Sequence, residues 1–349
     1  MCMGKQVELV MSFDIKETEK VSIKDIADMA GVSVATVSRI INENGRYSAQ
    51  TEDRVRKIME DCNYQPNLVA RGLRTKKVDA IGIIIPDITN EFFAKISLEL
   101  QMGLFQSGYA SIICNTNEDR YIENQYIKML NAQQVSGVIY ISGNYEEEME
   151  LLSIPSVYID RKPKGEKAKM QSVIIESDNK QGGYLATKCL IESNAKQIAC
   201  ISLASKVSTH EDRVNGCEMA LKEFGLPYAK EYFATVSKTT MTQACQAVDS
   251  LLEKKSKIDG IFCTSDEIAA GVMKYLEAKR VKVPLEMRIV GYDDTTLSQS
   301  TRIPITTIRQ PIEEMGRLGV ENILAMIAKE KIVRKEYMLP VTLIERKTT

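Results

Sequence analysis

The residues able to do chemistry in this chain stand mostly just after short apolar runs. AIGIIIP leads into PDITNEFF, with Asn90, Phe92 and Phe93; SVYI is followed by Asp160-Arg161; and DRVNG carries Arg213. FCTS ends at Ser265-Asp266, RIVGY runs into Asp293-Asp294, and TTIR is followed by Gln310. Carboxylates accept hydrogen bonds from paired hydroxyls, guanidinium groups and amides donate them, and aromatic rings pack on C–H faces. Asp160, Arg161, Arg213, Asp293 and Gln310, with Phe92 and Phe93, therefore suit the wall of a site for a small sugar. Each has a plainer use as well. Phe92 and Phe93 fit a helix core, Asp160-Arg161 a solvated pair, Arg213 a bridge between helices, and Asp266 or Asp294 a helix cap.

Other chemistry lacks its residues. His210 is the single histidine among 349 residues, too few for a Cys/His zinc finger or an H-E-x-x-H metalloprotease. No G-x-S-x-G, G-x-G-x-x-G or Walker A segment occurs. Catalysis by a carboxylate or lysine stays open without a motif to support it. No catalytic residue, metal ligand or cofactor is assigned, and the chain reads as a non-enzyme.

The net charge of −1 is unevenly spread. Residues 21–77 hold ten Lys/Arg against seven Asp/Glu, so a module of +3 sits on a remainder of −4. A basic end on an acidic body suits contact with a polyanion. Within it, Ser22 and Asp25 are spaced as a capping box, and Ile23, Ile26, Ala27 and Ala30 follow at helical spacing. Gly31 can end that helix, and Ser33 can cap a second whose stripe is Val34, Val37, Ile40 and Ile41. A third helix is expected over roughly 50–62. This is the pattern of a helix-turn-helix. The outward N-terminal face of its second helix carries Val34, Ala35, Thr36, Ser38 and Arg39, groups that can meet thymine methyls and guanine edges in the major groove.

Pro66 can open a further helix, but NLVARGLR gives it only about nine residues and an interior Gly72. Such a helix is marginal alone, since ~12–15 residues are usually needed. It is either a segment that folds only when supported or a plain linker. From Val78 short apolar runs alternate with amphipathic stretches. Strands are expected at 80–86, 110–115, 137–142, 156–160, 197–203, 259–265 and 288–293. Helices are expected near 91–107, 119–133, 180–193, 211–225, 241–255, 266–280 and 312–329. That alternation implies parallel α/β structure, as two doubly wound lobes or one eight-fold barrel.

No apolar run reaches the ~18–20 residues needed to cross a bilayer, and acidic residues 1–20 make a poor secretory signal. Eight scattered cysteines without a C-x-x-C pair fit reduced thiols in the cytoplasm. No membrane partner is expected.

The stretches IKDIADMAGVSVATVSRIIN and YQPNLVARGLRTKK resemble the DNA-binding head of the lactose/galactose repressor (LacI/GalR) family of bacterial transcription regulators. The resemblance implies that Val34, Ala35 and Arg39 read bases, and that Asn67, Ala70 and Leu73 belong to a minor-groove hinge helix, Leu73 wedging at a base step. From about 79 to 346, N-x-F-F, D-R, R-x-x-G, G-Y-D-D and I-R-Q-P occupy family positions. They carry over Asn90, Phe92, Phe93, Asp160, Arg161, Arg213, Asp293 and Gln310 as effector contacts. Ser265 joins them at a position where relatives often have Asn, a departure that leaves the ligand's identity open.

The implied architecture is an α/β body of two periplasmic-binding-protein-like lobes, each a doubly wound parallel sheet, behind an all-α head. The expected segments are an extension (1–20), the head (21–63), the hinge (64–77), one lobe (78–175 and 308–337) and a second (176–307 and 338–349). The pocket set and the closing LPVTLIERKTT are nearest to ribose- and sucrose-operon repressors. The tetramer-forming leucine repeat of some members is absent after 346, so a homodimer is expected. The expected partners are operator DNA, a sugar or sugar-phosphate effector, and a second copy of the chain. Three other readings compete: a sugar receptor without a DNA role, an α/β sugar-converting enzyme whose head is regulatory, and a regulator that takes a phosphoprotein corepressor. Residues 274–283 (KYLEAKRVKV) do not match the partner surface of the last.

Overall fold

The computed structural model describes residues 21–41, 44–64, 78–141, 154–162, 172–204, 208–254 and 257–349. The chain forms two compact units, Met1–Thr75 and Lys76–Thr349.

The first unit holds α1 (Ile23–Ala30), α2 (Val34–Ile41) and α3 (Ala49–Asp61). The Ser22 N–H donates to Asp25 Oδ2 at 2.7 Å, and the Asp25 N–H returns a bond to Ser22 Oγ at 3.3 Å. This reciprocal pair occupies donors that a helix start otherwise leaves open. α1 stops at Gly31, whose φ of +63° is left-handed and would strain any side chain. Ser33 Oγ then accepts from the Thr36 N–H at 3.1 Å and starts α2. Ile26, Ala27, Ala30, Val37, Ile40 and Val55 form the buried core. Val34 does not join it: the residue is 41% exposed. At about 100° per residue it lies about 90° around the helix from the midpoint of Val37 and Ile40, at the edge of the apolar arc.

The second unit contains two separate six-stranded sheets among its described residues, which decides for two lobes over a barrel. In the first, β1 (Val78–Ile85) lies between β2 (Ala110–Asn115) and β3 (Val135–Tyr140). Beyond β3 follow β4 (Ser156–Ile159), β5 (Val173–Ser177) and β11 (Glu336–Leu339), all parallel. In the second, β6 (Ile198–Leu203) lies between β7 (Phe233–Val236) and β8 (Gly260–Cys263), followed by β9 (Arg288–Tyr292), β10 (Thr306–Arg309) and an antiparallel β12 (Thr342–Ile344). Both sheets thus repeat one doubly wound order, with a switch point beside the first strand of each.

α4 (Glu91–Gln106), α5 (Arg120–Ala132) and α11 (Ile312–Ile327) pack on the first sheet. α6 (Asn179–Glu192), α7 (Ser208–Glu223), α8 (Met241–Lys254) and α9 (Asp266–Ala278) pack on the second, with short α10 (Thr296–Ser300) against α9. Helices on both faces explain the unbroken apolar runs. Ile81, Ile83 and Ile85 of β1 face α4, while Ile84 joins Leu130 and Tyr140 on the other side. The chain passes from the first sheet to the second after β5, returns after β10, and passes over again after β11.

Five strands lie outside the expected set: β5, β7, β10, β11 and β12. β7 buries only Val236, and β11 is an edge strand of alternating exposed and half-buried residues, so neither presents a long apolar run.

Candidate functional site

A cleft of about 440 Å³, open mouth included, lies where the carboxyl ends of both sheets face each other. In doubly wound sheets this is where ligands bind, because loops rather than sheet end there. The first lobe contributes Asn90, Phe92 and Phe93 after β1, Glu118 after β2, and Asp160 and Arg161 after β4. The second contributes Leu203, Thr209, His210 and Arg213 at and after β6, Thr239 after β7, Ser265 and Glu267 after β8, and Asp293 after β9. Asp160 and Asp293 occupy equivalent places, one residue past a strand, with φ of +69° and +101°. Holding a non-glycine residue there costs about 1–3 kcal/mol, a strain that clusters at functional sites.

Arg213 organises the second lobe's half. Its Nε donates to Asn179 Oδ1 and its Nη1 to the Thr264 carbonyl, both at 2.8 Å, and Nη1 lies 3.5 Å from Asp293 Oδ1. The guanidinium sits 3.7 Å over the Tyr292 ring. It reaches this position because α6 and α7 touch backbone to backbone. A Cβ on Gly216 would stand 1.9 Å from the Lys180 carbonyl, and one on Gly183 1.9 Å from that of Arg213. The R-x-x-G spacing therefore records a close helix crossing.

Burial raises the Asp160 and Asp293 carboxyls above their ordinary range, against the pull of Arg213 on both and of Arg161 on Asp160. His210 Nδ1 lies 3.0 Å from Thr264 Oγ1. Burial, and then the charges of Arg213 and Arg161, hold its ring neutral.

Eight of the nine effector positions read from the sequence line the cleft: Asn90, Phe92, Phe93, Asp160, Arg161, Arg213, Ser265 and Asp293. Gln310 stands behind it, buried, and its Nε2 donates to Asp293 Oδ1 at 2.7 Å. Asn90 caps α4 by accepting from the Phe92 and Phe93 N–H groups, and its amide crosses the cleft to Glu267 Oε1 at 2.9 Å. Ser265 caps α9. Two aspartates are scaffold instead. Asp266 accepts from Thr295 and Thr307, and Asp294 pairs with Arg309 and Arg346. Two polar atoms in the cleft, Asp160 Oδ1 and Arg161 Nε, are buried with no hydrogen-bond partner among the described residues. One accepts and the other donates, as a hydroxyl-rich ligand requires.

Glu118, Leu203, Thr209, His210, Thr239 and Glu267 also line the cleft and are not among the positions expected from the sequence. His210 gave one usable signal, since it precedes Arg213 by three residues and so shares its helix face.

On the head, Val34, Ala35 and Arg39 are exposed and Thr36 and Ser38 half-buried. The Thr36 hydroxyl lies 2.9 Å from that of Ser33, within the helix cap. The Arg39 stem runs beside Gly45, where an added Cβ would come within 3.1 Å. Asn67, Ala70 and Leu73, with the rest of the expected hinge after Tyr64, lie outside the described residues.

Comparison with known proteins bears on both regions. Residues 22–67 match the bacterial regulatory proteins of the lacI family, and residues 78–347 match the periplasmic binding proteins and sugar binding domain of the LacI family. The ribose operon repressor of Halalkalibacterium halodurans is 33% identical over 329 residues, 94% of this chain and 97% of that one. A solved complex of the transcriptional regulator CelR with cellobiose is 25% identical with a TM-score of 0.72, covering 94% of this chain and 100% of that one. The Lac repressor dimer bound to operator and the anti-inducer ONPF shares the fold, at 24% identity and a TM-score of 0.82 over 95% of this chain and 99% of that one. With its helix-turn-helix and its two-lobed sugar-binding body both matched, the chain belongs to the LacI family of bacterial regulatory proteins.

Proposed function

We propose that this protein is a carbohydrate-responsive transcriptional repressor. Two copies hold a near-palindromic operator, and a small sugar in the cleft releases it. The observation that carries the reading is a cleft holding both an unpartnered carboxylate oxygen and an unpartnered guanidinium N–H, in the same chain as a helix-turn-helix. Val34, Ala35, Thr36, Ser38 and Arg39 meet the major groove, and Asn67, Ala70 and Leu73 the minor groove. A sugar bonded to both lobes favours one lobe arrangement, and that arrangement disfavours a hinge too short to stay helical unaided. Relatives that are repressors support a binding rather than a catalytic role, and a repressor of an operon works in the cytoplasm, where the DNA is. Among the described residues no helix is long and apolar enough to cross a membrane.

Selection of duplexes from a random-sequence pool by the full chain tests the reading. The expected product is a two-fold related pair of half-sites, with Arg39→Ala weakening binding by about 1–3 kcal/mol and relaxing the preference at one base pair per half-site. Enrichment of no common sequence would refute it. Ribose and cellobiose, the sugars named with the two similar regulators, head the list of effectors to try.

A further inference from the structure

Among its described lining residues the cleft holds more acid than base. Glu118, Asp160, Glu267 and Asp293 line it against two guanidinium groups, and both of those already have carboxylate neighbours. Arg161 pairs with Glu118 at 3.1 Å, and Arg213 lies 3.5 Å from Asp293. Two of the helix starts at the cleft are taken as well. The Asn90 side chain occupies the first N–H groups of α4, and Ser265 one at α9.

Glu267 is set apart from the other three. Its partners are an amide and a hydroxyl, Asn90 and Thr239, and it feels the negative charge of Asp293, Asp266 and Asp87. Burial, reinforced by those aspartates, pushes its carboxyl up to about 8. A cavity that resists the ionisation of its own side chains resists a ligand's negative charge still more.

We infer that the cleft takes a ligand bearing no phosphate or carboxylate, and that Glu267 sets this preference. The inference rests on the carbohydrate reading and narrows it, from sugars and sugar phosphates to the unphosphorylated compounds. Among the described lining residues phosphate has no cation without a carboxylate neighbour to meet, whereas hydroxyls find an acceptor in Asp160 Oδ1 and a donor in Arg161 Nε.

Calorimetric titration of the full chain with matched pairs tests it: D-ribose and D-ribose 5-phosphate, D-glucose and D-glucose 6-phosphate, sucrose and sucrose 6-phosphate. The expected result is that one free sugar binds and its ester binds at least about tenfold more weakly. At pH 9, above the value to which burial pushes the Glu267 carboxyl, Glu267→Gln keeps the shape and removes the charge, and that gap narrows; a gap caused by the ester's bulk would persist. Should Glu267→Gln fail to fold, Glu118→Gln makes the same test of the acidic wall, and the wild-type pairs decide the ligand class alone. An ester that binds as tightly as its sugar overturns the inference and leaves the carbohydrate reading standing. A gap unchanged in Glu267→Gln removes that residue from the role. If no sugar and no ester binds, the carbohydrate reading fails, and this inference with it.

Discussion

The head and the body place their working side chains in opposite ways. The head buries six small and medium apolar residues and turns Val34, Ala35 and Arg39 outward. The body turns Asp160, Arg213 and Asp293 inward, each at most 8% exposed, between two lobes with cores of their own. A surface that must meet a polyanion can leave its charges in water, where they cost little until contact. A cleft that must hold a polar small molecule desolvates its charges beforehand. It therefore needs the Arg213 network, the scaffold aspartates and a strained residue at each of two strand ends.

Arg213→Ala should produce the largest effect that separates the two regions. It leaves Asn179, the Thr264 carbonyl and Asp293 without their shared donor, and breaking such a buried pair costs about 3–5 kcal/mol. Urea unfolding should show the body weakened by that order while the helical signal of the head persists. An unchanged body would mean that the network does not hold the lobe together.

A smaller difference lies in how the two regions respond to pH. Glu267 is pushed up to about 8, and Glu176 and Asp266 to about 7, all chiefly by burial. Groups raised on folding stabilise below their ordinary range, and that stability is lost as pH climbs through their folded values. Between pH 7 and 8.5, above the range where unfolded His210 would take a proton, the body should lose roughly 1–2 kcal/mol. Asp25 in the head moves the other way. The Ser22 side-chain bond, followed by its backbone bond, holds that carboxyl below its ordinary range. Its contribution is present above that range and fades only as pH falls through the lowered value. Thermal melts across pH 3–9 would follow both, and a body whose melting point rises from pH 7 to 8.5 would contradict the burial argument.

The smallest expected effect is local to the head. Ser33→Ala removes the cap of α2 and should cost about 0.5–2 kcal/mol of head stability, with sugar affinity unaltered. Calorimetry with an effector sugar checks the second half. A changed affinity would tie the cap to the cleft.

Much of this arrangement could be read from residue order because the determinants are local. Gly31, Ser22 and Ser33 punctuate the head, and the buried strands are continuous apolar runs. The cleft positions were legible where they follow such a run directly, as at Asp160-Arg161 and Asp293. Glu118 and Glu267 were not, because an acid at a helix start ordinarily reads as solvated. Only the facing lobe turns Glu267 into a cleft residue, through Asn90, 177 positions away. Asp266 and Asp294 show the converse, since nothing in D-E or D-D tells which carboxylate will face the ligand and which will tie loops together. The choice between a barrel and two lobes also lay beyond periodicity. It depends on which strands pair, and the chain changes sheets three times.

In the proposed function, occupancy of the cleft is read at the operator. Fluorescence anisotropy of a selected operator duplex with the full chain, with and without a saturating sugar that raises its melting temperature, tests this directly. Operator affinity should fall by roughly 5–150-fold, the usual range of coupling between two sites. An affinity that stays the same while the sugar is bound would contradict it.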